Sequence, residues 1–142
     1  MRVKDCMCKK VIKATSDTTL EKIAKLMKEN DVGCVPICND ENNVIGFVTD
    51  RDIIIRCVAT NKNCAETKAK DVMTSKVIKT TPDTHLDDAT ETMSKNQIRR
   101  LPVIENNEIV GILTIGDLAK NNDVSTKDVG ITMECICEYH KD

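Results

Sequence analysis

Apolar and polar residues follow one another in an order that occurs twice along the chain. In each half a short β-prone run comes first, and a stretch with apolar residues at helical spacing follows it. Two short apolar runs separated by a polar turn come next, before a second helical stretch. Helical spacing indicates a helix with one buried face, whereas short apolar runs bounded by turn residues indicate strands. The pattern therefore predicts the order β-α-β-β-α in each half, an α/β (α+β) fold.

Specific residues locate the first strand and helix of each half. Val11-Ile12 and Val77-Ile78 are the β-prone runs. Thr18-x-x-Glu21 and Thr84-x-x-Asp87 are close to the capping box with which many helices begin. The residues expected on the buried stripes are Leu20, Ile23, Ala24 and Met27 in the first half and Leu86, Ala89 and Met93 in the second.

Two polar turns and two threonines locate the rest of each half. Residues 39–43 and 105–108 are rich in Asn, Asp and Glu, so each turn is expected to join two short strands. A second helix is expected to begin just after Thr49 in the first half and just after Thr114 in the second.

The amino-acid identities repeat along with the pattern. VIKATSDTTL at 11–20 aligns with VIKTTPDTHL at 77–86, and GFVTDRD at 46–52 aligns with GILTIGD at 111–117. Two copies cannot form a solenoid, so a pseudo-symmetric pair is predicted. The expected boundaries are 1–62 for the first repeat, 63–70 for a polar surface linker, 71–122 for the second repeat and 123–142 for a C-terminal tail.

The tail is predicted to form a closing helix. Its apolar and thiol residues recur near one helical stripe, which consists of Val129, Met133, Ile136, Cys137 and His140.

The pattern G-h-h-T-x-x-D, in which h is apolar, has two explanations. Its Thr and Asp suit the first turn of a helix, where Thr caps the helix and the dipole favours a negative charge, and its Gly suits the end of a strand. The same atoms also suit a nucleotide, because helix N–H groups favour phosphate and a carboxylate can accept hydrogen bonds from both ribose hydroxyls. One copy is a weak signal, but two copies at the same place in a repeat favour the second explanation.

The chain resembles a known family, the tandem CBS domain or Bateman module, over about residues 3–122. The resemblance lies in the V-x-D-x-M opening at Val3–Met7 with its counterpart at Ala69–Met73, in the L-P-V type of strand start, and in G-h-h-T-x-x-D. It implies two copies packed about a pseudo-twofold axis, with clefts between them for adenosine-containing ligands such as AMP, ADP, ATP or S-adenosylmethionine. No other cofactor is implied.

The resemblance also implies which residues bind the ligand. Those expected to hold ribose and phosphate are Thr49, Asp52, Thr114 and Asp117. The residues between them, Asp50, Arg51, Ile115 and Gly116, are expected to line the ligand site. Those expected to offer backbone groups to adenine are Val11 and Val77. Those expected to face the ligand just before the prolines are Gly33, Cys34, Arg99 and Arg100.

The two expected sites differ in charge. Arg99 and Arg100 suit phosphate, whereas Gly33 and Cys34, at the same positions of the first repeat, carry no charge. Residues of both copies would line each cleft, so the sequence leaves open which cleft each arginine faces. Alternatively, these arginines are solvent-exposed surface charges.

Composition excludes several classes of function. The 142 residues carry a net charge of −2 with one Phe, one Tyr and no Trp, so neither nucleic acid nor a membrane surface is an expected partner. The N-terminal residues lack the apolar core of a signal peptide, and no apolar run is long enough to span a membrane. We expect a cytoplasmic protein with reduced thiols. The sequence contains no Walker A loop, no G-x-G-x-x-G motif and no G-x-S-x-G nucleophile elbow, so no enzyme activity is expected.

The eight cysteines are expected to be structural. Cys6 aligns with Val72 and Cys38 with Ile104, as small buried apolar residues would. Cys64, in the polar linker, is the thiol expected to be exposed. The pairs Cys6-x-Cys8 and Cys135-x-Cys137 do not have the spacing of structural zinc sites, so no metal site is expected.

Three functions remain open. The first is a regulatory module that senses an adenosyl ligand for an unidentified effector protein. The second is a dimerisation or interaction scaffold with vestigial clefts, and the third is a thiol-based metal or redox sensor. Since two small repeats leave helix faces uncovered, a homodimer is expected.

Overall fold

The computed structural model describes residues 1–138, which form two compact units. The first-repeat unit consists of residues 12–77, and the second-repeat unit combines residues 1–11 with the chain from Ile78 onward. The units therefore differ from the two contiguous repeats of the sequence, because the segment that precedes each repeat's first strand lies in the other repeat's unit.

The first-repeat unit contains a three-stranded sheet. Its elements are β1 (Ala14–Thr15), α1 (Leu20–Asn30), β2 (Cys34–Cys38), β3 (Val44–Thr49), α2 (Asp50–Ile53), a π-helical turn (Ile54–Val58) that continues α2, and α3 (Ala69–Val72). Strand β2 lies between β1, to which it is parallel, and β3, to which it is antiparallel. The predicted order is confirmed, but the first strand lies at Ala14–Thr15 rather than Val11-Ile12.

The second-repeat unit has a related order with a shorter sheet. Its elements are a 3-10 turn (Val3–Asp5), α4 (Leu86–Asn96), β4 (Arg100–Glu105), β5 (Glu108–Thr114), α5 (Ile115–Lys120) and α6 (Thr126–Glu138). Strands β4 and β5 are antiparallel. Val77-Ile78 does not form the predicted strand; Thr80 instead makes a single parallel bridge to Val103.

Each sheet is extended by the segment that precedes the other repeat. In the first-repeat unit Thr74 and Phe47 exchange backbone hydrogen bonds of 2.9 and 2.8 Å, on the free side of β3. In the second-repeat unit Cys8 and Ile112 do the same at 2.9 and 3.0 Å beside β5. These bonds satisfy edge strands that would otherwise present unpaired groups.

The glycine of each G-h-h-T-x-x-D motif is explained by this arrangement. A Cβ on Gly46 would lie 2.8 Å from the carbonyl oxygen of Thr74 and 2.9 Å from Sδ of Met73. A Cβ on Gly111 would lie 2.7 Å from Sδ of Met7. Both glycines therefore permit close approach of the added segment, rather than ending a strand beside a turn as the sequence alone suggested.

Each unit has its own apolar core. The fully buried residues of the first-repeat core come from its helices and strands and include Leu20, Ile23, Val35, Ile37, Val48, Cys57 and Ala69. Those of the second-repeat core include Val3, Ala89, Met93, Leu101, Val103 and Leu113. Val3 shows that the added segment contributes to the core as well as to the sheet edge.

The first helices begin one residue later than predicted. Thr19 caps α1 by accepting a hydrogen bond from the backbone N–H of Lys22, whereas Thr18 accepts one from Thr15 and stabilises the preceding turn. His85 occupies the cap position of α4 and is exposed. Ala24 is exposed rather than buried, so the buried stripe of α1 is narrower than predicted.

The predicted closing helix is confirmed as α6. Val129 and Ile136 pack against the second-repeat core, and Cys137 is exposed. His140, the last residue of the predicted stripe, lies outside the described residues.

Candidate ligand-binding edges

Both T-x-x-D motifs form reciprocal capping boxes. In the first repeat the backbone N–H of Thr49 donates to Oδ2 of Asp52, and the N–H of Asp52 donates to the Thr49 hydroxyl oxygen, both at 3.0 Å. In the second repeat Thr114 and Asp117 form the same pair of bonds at 2.9 and 3.0 Å. The helix-start explanation is therefore confirmed for both motifs, and a ligand would have to use the second carboxylate oxygen and the hydroxyl proton.

The strands bring the residues before the prolines beside these motifs. Cys34 lies opposite Thr49 in the β2–β3 register, and Arg100 lies opposite Thr114 in the β4–β5 register. The first residue of each helix also donates to the loop before the strand, from Asp50 to the Gly33 carbonyl and from Ile115 to the Arg99 carbonyl, both at 2.9 Å. We name the two groups the first edge (Gly33, Cys34 and Thr49–Asp52) and the second edge (Arg99, Arg100 and Thr114–Asp117).

Charges at the first edge are largely balanced. Asp52 is buried, and its Oδ1 lies 3.9 Å from Nε of Arg56, whose guanidinium also donates to the Val72 carbonyl at 2.9 Å. The carboxylate of Asp50 lies against Gly33, with Oδ2 2.9 Å from the position of a Cβ there. Arg51 is exposed. The two carboxylates of the first edge thus accompany its own Arg51 and the neighbouring Arg56.

The second edge carries more positive charge. Arg99 is exposed and Arg100 is half-buried, and Gly116 occupies the position of Arg51. Asp117 is partly exposed, and within residues 1–138 neither a hydrogen bond nor an ion pair reaches its Oδ1. Two arginines thus accompany one carboxylate that has an available oxygen.

A thiol lies close to the second edge. Asn121, four residues after Asp117, donates a hydrogen bond to Sγ of Cys6 at 3.1 Å. Burial raises the pKa of the Cys6 thiol, and the negative charges of Asp5 and Asp117 act in the same direction, while the bond from Asn121 opposes them. Cys6 is therefore an uncharged, half-buried residue, as its alignment with Val72 predicts.

The two residues expected to offer backbone groups to adenine belong to opposite units. Val11 is in the second-repeat unit with Thr114 and Asp117, and Val77 is in the first-repeat unit with Thr49 and Asp52. Both side chains are half-buried. The sequence repeats group these residues differently. In the alignment Val11 belongs to the repeat of Thr49 and Asp52, and Val77 belongs to the repeat of Thr114 and Asp117.

A cavity of about 360 Å³ in the second-repeat unit does not include either edge. It lies at the starts of α4 and α6, and its acidic lining residues are Asp87, Asp88, Asp123 and Asp128. Four carboxylates would repel a phosphate, so this cavity does not fit a nucleotide.

The eight cysteines differ in how far they are buried. Cys38 and Cys57 are buried, as structural cysteines would be, but Cys64 is half-buried rather than exposed and packs against the first-repeat core. Within residues 1–138 no three His, Cys, Asp or Glu side chains are grouped so that they could hold a metal ion. Over the same part of the chain, no helix has the length and apolar character needed to cross a membrane.

Comparison with known proteins identifies the repeats. The CBS domain family matches residues 3–58 and 69–122. The CBS domain-containing protein YhcV of Bacillus subtilis is 37% identical, with 84% of each chain covered. A crystal structure of Hypoxic Response Protein I with two coordinated zinc ions matches with a TM-score of 0.77 and 30% identity, over 85% of this chain and 98% of that one.

A further solved structure contains bound ligands. The CBS domain pair of protein MJ0100, in complex with 5′-methylthioadenosine and S-adenosyl-L-methionine, matches with a TM-score of 0.75 and 28% identity, over 84% of this chain and 94% of that one. Two matched repeats, a shared fold and relatives of similar length lead to one conclusion: this chain belongs to the CBS domain family and carries a tandem pair of CBS domains.

Proposed function

We propose that this protein is a regulatory module that senses an adenosine-containing ligand, and that its second edge binds a phosphate-bearing form such as AMP, ADP or ATP. The observation that carries the proposal is the second edge itself, where Arg100 lies opposite Thr114 and Oδ1 of Asp117 remains available. The carboxylate would accept ribose hydroxyls, and the arginines would neutralise phosphate.

The ligand-bound relative supports the adenosyl part of this proposal. MJ0100 binds 5′-methylthioadenosine and S-adenosyl-L-methionine, neither of which carries a phosphate. The ribose and adenine that these molecules share with AMP are the parts expected at Asp117 and at the backbone of Val11, which lies in the same unit. The surplus positive charge of Arg99 and Arg100 favours a phosphate over the sulfonium of S-adenosylmethionine.

The first edge is less suited to a nucleotide. A ligand there would have to displace Arg56 from Asp52 and lie beside the carboxylate of Asp50. Cys34 and Gly33 offer it no charge. We therefore propose one strong site and one weak or vacant site.

A ligand screen tests the proposal directly. Thermal unfolding would be measured with AMP, ADP, ATP, S-adenosylmethionine, 5′-methylthioadenosine and NAD, because a ligand at a hundred times its dissociation constant adds about 2.7 kcal/mol of stability. AMP, ADP or ATP should stabilise the protein more than 5′-methylthioadenosine does. Equal stabilisation by 5′-methylthioadenosine would contradict the role given to the arginines.

A matched pair of variants shows which edge binds the phosphate-bearing ligand. Arg100→Gln should weaken the binding of that ligand by about 1.5–3 kcal/mol, the value of a hydrogen bond to a charged group. Arg51→Gln, at the exposed arginine of the first edge, should leave that affinity unchanged. The reverse result would place the ligand at the first edge.

The second function, self-association, is supported by a separate observation. Three apolar side chains of the π-helical turn that follows the first edge are exposed, namely Ile54 (60%), Ile55 (45%) and Val58 (57%). An exposed apolar cluster of this kind typically marks a protein interface. We propose a homodimer in which this surface contacts a second copy, while the regulated effector protein remains unidentified. We also propose that the protein works in a reducing compartment such as the cytoplasm, where its cysteines would stay reduced.

A further inference from the structure

Two cysteines of the first-repeat unit are in direct contact. Sγ of Cys57 and Sγ of Cys64 are 3.0 Å apart. Cys57 is fully buried near the end of the π-helical turn, and Cys64 is half-buried in the loop that follows. One thiol is therefore reachable from solvent, and its neighbour lies behind it.

The backbone holds this pair in place from both sides. The N–H of Lys62 donates to the Cys57 carbonyl, and the N–H of Glu21, in the first turn of α1, donates to the Cys64 carbonyl, both at 3.0 Å. Asn61 adopts a left-handed conformation with φ of 60°, which turns the chain back after the helix. The two sulfur atoms thus meet because backbone hydrogen bonds and a fixed turn position the loop that joins them.

The thiols are also linked by hydrogen bonds. Sγ of Cys57 donates to the Lys62 carbonyl at 3.5 Å. The hydrogen bond with Cys57 is the main cause that raises the pKa of the Cys64 thiol, and burial adds to it. The Cys64 thiol is therefore protonated at neutral pH, and its oxidation requires a chemical partner.

The repeat architecture does not require this pair. Asp52 and Asp117 are equivalent positions that lie 65 residues apart. By the same offset the equivalent of Cys57 is Asn122, which is exposed. A cysteine pair that served only to fill the core of a repeat would be expected in both copies. The pairing of Cys57 with Cys64 is a separate feature of the first-repeat unit.

We propose that Cys57 and Cys64 form a reversible dithiol–disulfide site that closes by exchange with a low-molecular-weight disulfide. The thiolate of Cys64 attacks the external disulfide, forms a mixed disulfide and releases one small thiol. The Cys57 thiolate then attacks Sγ of Cys64, forming the internal bond and releasing the second small thiol. The two protein protons pass to the released thiols, and one external disulfide is reduced for each internal disulfide formed.

The bond would fasten the end of one helix to the start of another. The helix that contains Cys57 begins at the capping box of Thr49 and Asp52, and the Cys64 loop is bonded to the first turn of α1. Oxidation would therefore restrain local opening of this helix and raise the unfolding temperature by several degrees. The site does not depend on the adenosyl ligand proposed for the second edge.

The sequence provides a direct assay. Trypsin cleaves after Arg56, Lys62 and Lys68, so it places the two cysteines on separate peptides, 57–62 and 63–68. The reduced full-length protein would be equilibrated with mixtures of reduced and oxidised glutathione, alkylated and digested without reductant. We expect the two peptides to appear as one species, lighter than their sum by two hydrogen atoms, and to separate again after treatment with dithiothreitol.

Three variants define the outcome. Cys64→Ser and Cys57→Ala should each abolish the linked species, and alanine is used at the buried position because it leaves no polar group in the core. Cys38→Ala, at a buried cysteine outside the pair, should leave the linked species unchanged. Glutathione attached to Cys8 or Cys137 under conditions that leave Cys57 and Cys64 unlinked would overturn the proposal. Stoichiometric metal that is lost in the Cys64→Ser variant would also overturn it.

Discussion

The first and second edges share one backbone design but differ in what their side chains leave available. Both begin a helix with a reciprocal Thr–Asp capping box of nearly identical dimensions. At the first edge Arg56 approaches the remaining oxygen of Asp52, whereas at the second edge Oδ1 of Asp117 has no such neighbour in the described chain. A repeated motif therefore fixes the helix start in both copies, while the residues around it decide whether a ligand can use the same carboxylate.

The units differ in a second respect, the exposure of their apolar residues. Ile54, Ile55 and Val58 are exposed close together in the first-repeat unit, whereas the large exposed apolar residues described in the second-repeat unit are Met1 and Ile131. A duplicated sequence suggests that both copies share the same functions. In the proposed arrangement the second repeat would bind the ligand and the first repeat would form the dimer interface.

The largest effect is expected from charges placed on the apolar cluster. Replacing both Ile54 and Val58 with Asp would bury two uncompensated carboxylates in a dimer interface, so dimer dissociation should become easier by at least about 3–5 kcal/mol. Light scattering at tens of micromolar protein should then show a monomer. Ile131→Asp, on the second-repeat unit, should leave the dimer intact, and a wild-type monomer would refute the assignment.

A smaller effect is expected from neutralising the two motif aspartates. Asp117→Asn replaces an acceptor with a donor that faces a ribose hydroxyl, so nucleotide affinity should fall by about 1.5–3 kcal/mol with little loss of stability in the free protein. Asp52→Asn should instead reduce stability, because it removes the partner of Arg56, and should change affinity little. Calorimetric titration and urea unfolding of both variants distinguish these outcomes. Unchanged affinity in both would leave the motifs with their capping role alone.

A comparable effect on stability is expected at the motif glycines. Gly46→Ala and Gly111→Ala force a methyl group against the added segment and should each cost about 1–3 kcal/mol, the usual cost of overpacking. Because the nearest atom to Gly111 is the movable sulfur of Met7, whereas the nearest to Gly46 is a backbone oxygen, Gly111→Ala should cost less. Gly130→Ala is the control.

That control should change stability in the opposite direction. Gly130 lies in α6, and a methyl group added there would meet no neighbouring atom within 4 Å, so alanine should stabilise by about 0.5–1 kcal/mol through helix propensity. Urea unfolding measures all three variants. Equal loss at Gly46, Gly111 and Gly130 would show that close approach is not the reason for the motif glycines.

The smallest effect is expected from a pair of surface aspartates. The pKa of Asp17 is lowered by Lys70 and Lys68, and that of Asp83 by Lys4 and then Arg2. A carboxyl whose pKa in the folded state lies below its ordinary value of 3.8 stabilises the fold above pH 3.8. This stabilisation is lost as the pH falls from 3.8 through the lowered pKa. Asp17→Asn and Asp83→Asn should therefore flatten the acid limb of the stability curve. Solvent and salt screen both pairs, so about 0.5 M salt should remove most of the difference.

Local signals predicted the repeats, the helices after Thr49 and Thr114, and the polar turns. Those features depend on neighbours within a few residues, such as the reciprocal Thr–Asp bonds. The sequence did not locate the α1 cap, because Thr18 and Thr19 are both suitable and only the turn with Thr15 selects between them. Sequence alignment also could not show that Met73 packs on Gly46, since that contact depends on which repeat the preceding segment joins.

The thiol contact was missed for a related reason. Cys64 was expected to be exposed because its neighbours are polar, but the left-handed Asn61 returns the chain to the core and brings Cys64 to Cys57. A single residue with an unusual backbone conformation thus changed the environment of a side chain three residues later. Composition averaged over the segment could not reveal this.

The assignment of residues 1–11 to the second-repeat unit has a consequence for synthesis on the ribosome. Residues 12–77 are contiguous, so the first-repeat unit can close as soon as they have emerged, whereas residues 1–11 must wait for partners that are translated after them. At about 5–20 residues per second, the intervening stretch alone delays them by several seconds. During that interval Val3 and Met7 are exposed apolar residues of the nascent chain. The lysines and the arginine around them make residues 1–11 hydrophilic enough to stay soluble until their partners are translated.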